Sequence, residues 1–304
     1  LAEAGSVKEL EEMLLAIASE FHEPIRRRNT VGPREDLGLY VLKLKMPYQG
    51  LAAVSSSKTL VALNAASTSA RRRQTLAHEC AHGLLRDVDR IALKLTREKE
   101  DRLCSRFART ALMPTSRVTD YFDVHGFPAD LESLHAFCRE FSVSLRLGIA
   151  GLNEHGHRAG SAVLIAATFR CHEKRPEEYD FRVDAAASHP ELFVPRDQRL
   201  VSVGLGDLSW WARGARPGLQ RSGQERHVLF RARKNGVACW HGPARWTVKV
   251  HKAATGHQHP EARSLILALD RSELRPMRSD PTRRPTPLRP LRKLPGQTKL
   301  TFSP

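Results

Sequence analysis

Long apolar runs are missing from the 304 residues. The longest, Met13–Ala18 and Ala162–Ala167, have six residues each, against the ~20 a helix needs to span a bilayer. No membrane partner is therefore expected. Cysteine is scarce: the five present (Cys80, Cys104, Cys138, Cys171 and Cys239) are odd in number and form no C-x-x-C pair. This excludes a disulfide frame and a four-cysteine zinc site, and reads as buried thiols of a cytosolic protein. No basic start followed by a continuous apolar core opens the sequence, so a secretory leader is not expected and the expected compartment is the cytoplasm. Internal repeats are absent. With 41% hydrophobic and 27% charged residues the chain has the composition of a globular protein. Its length suggests roughly two domains at about 150 residues each.

Acidic residues are also in short supply, 33 against 49 Lys and Arg, for a net charge of +16. The imbalance is uneven: +3 over residues 1–150, +6 over 151–270, and +7 over the last 34 residues. A basic end of this kind attracts polyanions, so non-specific nucleic acid is a candidate partner for the C-terminal half and tail. Solubility alone is the competing explanation.

Apolar residues at Leu10, Met13, Leu14, Ile17 and Phe21 have helical spacing, with Ser6 as N-cap. Leu37–Met46, Leu51–Ser55 and Leu60–Leu63 read as a small antiparallel sheet. Helices are expected over Arg71–Leu85, Arg97–Leu112 (stopped by Pro114), Thr115–Phe122 and Leu131–Phe141. The Gly- and His-bearing stretch Gly151–Gly160 marks a domain boundary. Beyond it Ala162–Arg170, Leu200–Leu205, His227–Arg233, Gly236–Trp240 and Trp246–His251 read as strands, and Ser264–Leu269 as helix or strand. From Arg271 the chain carries 7 of its 18 prolines and little apolar periodicity, the composition of a disordered tail. The expected division is thus residues 1–152, a strand-rich α/β domain over 153–270, and a disordered Pro/Arg-rich tail over 271–304.

Chemistry enters with Thr75-Leu76-Ala77-His78-Glu79-Cys80-Ala81-His82-Gly83. His78 and His82 are four apart, so on a helix both imidazoles leave one face and can share a metal ion. Zinc is the default for two imidazoles and a carboxylate. Glu79, next to the first imidazole, suits a general base that takes the proton of an attacking water while the metal polarises a carbonyl. The competing explanation is an H-E-x-x-H arising by chance in a helix whose histidines are surface or core residues. The apolar face Leu76, Ala77, Cys80, Ala81 and Leu84 speaks against it, because a packed helix would hold both histidines in place.

The run Arg72–Leu85 resembles the core of the ImmA/IrrE metallopeptidases, whose motif reads R-Q-R-F-T-L-A-H-E-x-x-H-x-L-L. A second signature of that family, E-x-x-(A/C)-N-x-x-A-x-x-x-L-M-P, is similar to Asp101–Pro114 here. The resemblance covers roughly Leu37–Leu152, including the step Phe141–Ser144. It implies an α+β, zincin-like domain and a zinc-dependent endopeptidase. Such an enzyme cleaves a regulatory protein, a helix-turn-helix repressor, in stress response or mobile-element control. Carried over, His78 and His82 are metal ligands, Glu79 is the general base, and the third ligand maps to Asp101, where the family has Glu. At about 100° per residue, Asp101 shares a helix side with Cys104, Ala108 and Leu112. Glu100 is compatible with the face of Leu103, Phe107 and Ala111, and Glu98 lies one turn earlier, so both stay open as alternatives. Asp101 also fits a plain helix-start acid. The shorter side chain keeps a second reading open: a DNA-associated regulator with a structural or degenerate HExxH site.

Trp210, Trp211, Trp240 and Trp246 are interleaved with Arg213, Arg226, Arg231 and Arg233, a combination that stacks nucleic-acid bases in some proteins. As a set they read better as the core of a small β-rich domain. His155 with His157, and His257 with His259, read as solvated loop residues.

Overall fold

The structure is a computed structural model that describes residues 1–26, 32–34, 38–54, 59–172, 175–232, 239–252 and 263–277. His257, His259, Gly236 and most of the basic tail (278–304) lie outside the described residues. Among the described residues no helix is long and apolar enough to cross a membrane.

The first half begins with α1 (Val7–Glu20), whose Ser6 cap accepts from the Glu9 N–H, and the short α2 (His22–Arg26). Four short strands follow: β1 (Gly32–Arg34), β2 (Leu39–Leu44), β3 (Gly50–Val54) and β4 (Thr59–Asn64). Then come α3 (Ser69–Leu84), α4 (Arg97–Leu112), α5 (Thr115–His125), α6 (Leu131–Glu140) and α7 (Leu145–Leu152). Thr68, Thr96, Asp130 and Ser144 each cap a helix by accepting from a backbone N–H, and Asp130 with Ser133 forms a reciprocal capping box.

The small sheet has the order β1-β2-β4-β3. It is mixed rather than antiparallel throughout, because β4 enters between β2 and β3 and runs parallel to β2. Apolar alternation in a short strand decides which face is buried but not which strand lies beside it. The β2–β3 link instead docks on the end of β4, where the Asn64 amide donates to the Met46 and Tyr48 carbonyls.

The second half builds a sheet from β5 (Ala162–His172), β6 (Arg175–Ala187), β7 (Leu192–Phe193), β8 (Gln220–Ala232), β9 (Cys239–Lys252), β10 (Arg263–Asp270) and β11 (Arg275–Met277). Its order is β6-β5-β10-β9-β8-β7, with β11 paired to β9, antiparallel throughout. Leu164, Ala166, Ile266 and Ala268 face the core shared with the helices of the first half. Val163, Ile165, Leu265 and Leu267 face a second core with Leu208 and Ala212 of α8 (Gly206–Gly214). Both faces of β5 are therefore covered, which is why Ala162–Ala167 is apolar without alternation.

Leu200–Leu205 is not a strand: Leu200–Val203 is a 3-10 turn that buries Leu200, Val203 and Leu205, closed by Gly204 at φ 83°. β6 and α8 have no counterpart in the sequence reading. His155 is buried rather than solvated, with its ring edge-on to Phe122 at 5.5 Å. The tryptophans largely serve the protein itself. Trp246 is buried, Trp211 lies under Arg221 and Trp240 under Arg271, leaving Trp210 exposed.

Candidate metal centre

Helix α3 buries Thr75, Leu76, Ala77, Cys80 and Ala81, which turns His78, Glu79 and His82 toward a cleft beside the sheet. The adjoining helix α4 buries Glu100, Leu103, Cys104, Phe107 and Ala108. Its first turns thereby reach the same cleft, a cavity of about 580 Å³. β3 forms the opposite wall with Gly50, Leu51 and Ala52, and as the last strand of its sheet it has no strand paired to its outer edge among the described residues. Gly50 permits this close approach: a Cβ there would collide with Thr75 Cγ2 on α3.

His78, His82 and Asp101 come together, with their donor atoms within 4.8 Å of one another, and no other such group of three or more lies among the described residues. Asp101 Oδ1 stands 3.4 Å from His78 Nε2 and 3.9 Å from His82 Nε2. Tetrahedral ligands about 2.0–2.2 Å from one ion lie roughly 3.3–3.6 Å apart, so the donor set fits a metal with small adjustments. The two rings meet edge-on with centroids 5.0 Å apart.

The far ring nitrogens are also engaged. His82 Nδ1 is 3.0 Å from Glu100 Oε1, and Arg90 donates to both Glu100 oxygens at 2.9 and 3.1 Å. Hydrogen bonding from Arg90 holds the Glu100 carboxyl below the usual carboxylate range, with His82 acting in the same direction against burial. An ionised Glu100 can only accept, so the His82 proton sits on Nδ1 and the Nε2 lone pair faces Asp101. Ser105 Oγ lies 3.4 Å from His78 Nδ1, a longer contact in which the hydroxyl can donate or accept.

Burial pushes the His78 pKa down, with His82 adding to the shift and Asp101 opposing it. A neutral imidazole is the form that ligates. Burial pushes the Glu79 carboxyl up, and the Asp101 charge adds to this, while His82 and the Ala52 N–H counter it. Burial beside Glu100, Asp101 and Glu79 pushes the Cys104 thiol up, which keeps it protonated and inert.

Each residue singled out in the motif thus reaches one cleft. Glu98, an exposed residue of the first turn of α4, is outside the cluster, and Glu100 bonds His82 Nδ1 instead of joining the donor set. The sequence reading missed the arginines. Arg86, Arg90 and Arg97 also line the cleft, and two of them lie in the non-helical link between α3 and α4, where periodicity says nothing about direction.

Comparison with known proteins gives a match to the family model described as the IrrE N-terminal-like domain, over residues 34–146. No curated protein matches. Among solved structures a Mycobacterium tuberculosis transcriptional regulator overlaps 87% of this chain and 76% of its own, at 12% identity and a TM-score of 0.44. Residues 34–146, which carry His78, Glu79, His82 and Asp101, match the IrrE N-terminal-like domain of a peptidase family, which supports an ImmA/IrrE assignment for this part of the chain.

Proposed function

We propose that this chain is a zinc-dependent endopeptidase that cuts a regulatory protein of the cytoplasm, specifically a helix-turn-helix repressor. The observation that carries the reading is the meeting of His78, His82 and Asp101 with Glu79 beside the outer edge of β3. When bound, zinc supplies Lewis-acid polarisation of the scissile carbonyl and acidifies water. His78, His82 and Asp101 hold it, with Glu100 and Ser105 orienting the two imidazoles. Glu79, steadied by the Ala52 N–H, takes the proton of the attacking water at its carboxylate and passes it to the leaving amine nitrogen. The outer edge of β3 offers main-chain groups to an extended substrate segment.

The shorter Asp at position 101 does not favour a degenerate site, since its Oδ1 lies close to both imidazoles. The experiment compares cells producing the wild-type chain with cells producing Glu79→Gln, and maps new protein N-termini by mass spectrometry. An internal cut in a regulatory protein, present only with the wild type, is the expected result. Identical N-termini together with an unchanged transcriptional output would sink the reading in favour of a non-enzymatic regulator.

A further inference from the structure

The cleft has walls of opposite character. β3 contributes Gly50, Leu51 and Ala52, with Leu51 61% exposed, while the other side carries Arg86, Arg90 and Arg97. The carboxylates among the lining residues, Glu79, Glu100 and Asp101, are already engaged. Asp101 lies against the imidazoles, Glu79 takes the Ala52 N–H, and Glu100 bridges His82 and Arg90. Arg90 is thereby fixed as part of the site's support. Arg86 leans on the exposed Asp87 next to it in sequence. Arg97, at the first position of α4, makes no hydrogen bond or ion pair among the described residues.

An arginine that faces a cleft without a protein carboxylate presents a planar fork of donors to whatever enters. We infer that Arg97 selects an acidic side chain in the bound segment. The preferred substrate is then an extended peptide that lays an apolar side chain on Leu51 and an Asp or Glu against Arg97. This inference rests on the cleft's role as the substrate site and names the class of segment it takes. A basic side chain at that position would meet the like charge of Arg97, so the same residue also rejects.

The test uses the full chain with Glu79→Gln, immobilised and loaded with zinc, and an end-blocked random hexapeptide library whose retained members are sequenced. Acidic residues should be enriched roughly tenfold over their amides at one position, between the values for an exposed ion pair and a charge-assisted hydrogen bond. Adding Arg97→Ala should remove the enrichment, and Arg97→Glu should turn it toward Lys and Arg. Arg216→Glu, an equal change of net charge outside the cleft, should leave it intact. Loss of the preference in Arg216→Glu would assign it to overall charge and overturn the proposal, as would an acid preference that survives Arg97→Glu or no preference at all. The same library cleaved by chains with Glu79 intact separates the two readings. Glu79-dependent cutting without acid selection retains the peptidase and refutes Arg97. Acid selection without any Glu79-dependent cutting does the reverse.

Discussion

Glu79→Gln should lower the cleavage rate by about 10²–10⁴-fold, the usual worth of a general base, while metal content stays unchanged. Glutamine has nearly the same shape, and its amide oxygen can still accept from the Ala52 N–H that holds Glu79. What it cannot do is take a proton from water. Because Glu79 is no member of the His78–His82–Asp101 cluster, the ion has no reason to leave. Turnover and metal analysis on the same purified sample check both halves. A variant as fast as the wild type would remove Glu79 from the chemistry. A variant that loses metal would make it a ligand.

The second large effect separates two adjacent carboxylates on α4. Asp101→Ala takes away the only oxygen donor of the cluster, leaving two imidazoles without a charge-neutralising partner, and zinc affinity should collapse. Glu100→Ala removes the acceptor that orients His82 and also frees Arg90. Loss of a partner behind a metal ligand typically costs 10–100-fold in affinity, so Glu100→Ala should bind zinc measurably but more weakly. Competition with a chelator of known affinity ranks the variants, with folding compared by circular dichroism. The reverse order would exchange the roles of Asp101 and Glu100.

That exchange was left open by sequence for a physical reason. Helical spacing places His78 and His82 on one face without reference to anything else, and Thr68, Thr96 and Pro114 mark where α3 and α4 begin or stop. Positions 100 and 101 are neighbours on a helix start, and either can turn toward α3. The choice depends on where α4 crosses α3, and in the structure Arg90, in the link between the helices, grips Glu100 and leaves Asp101 to the cleft. Nothing in the spacing of residues 85–96 encodes that grip. The parallel pairing of β2 with β4 was hidden for a similar reason, since it depends on Asn64 pinning the β2–β3 link. In the second half, Leu200 and Val203 are buried by neighbouring elements rather than by a ladder, so apolar content alone misread a turn as a strand.

The most direct test of the whole account is the metal content of the full chain purified without added zinc or chelator, measured beside His78→Ala. The wild type should carry about one zinc per chain, bound only by nitrogen and oxygen donors in the absorption-edge fine structure. His78→Ala, folded to the same degree, should carry almost none. A folded wild type that takes up no divalent metal even at saturating zinc, or a His78→Ala chain that retains all of it, would contradict the account.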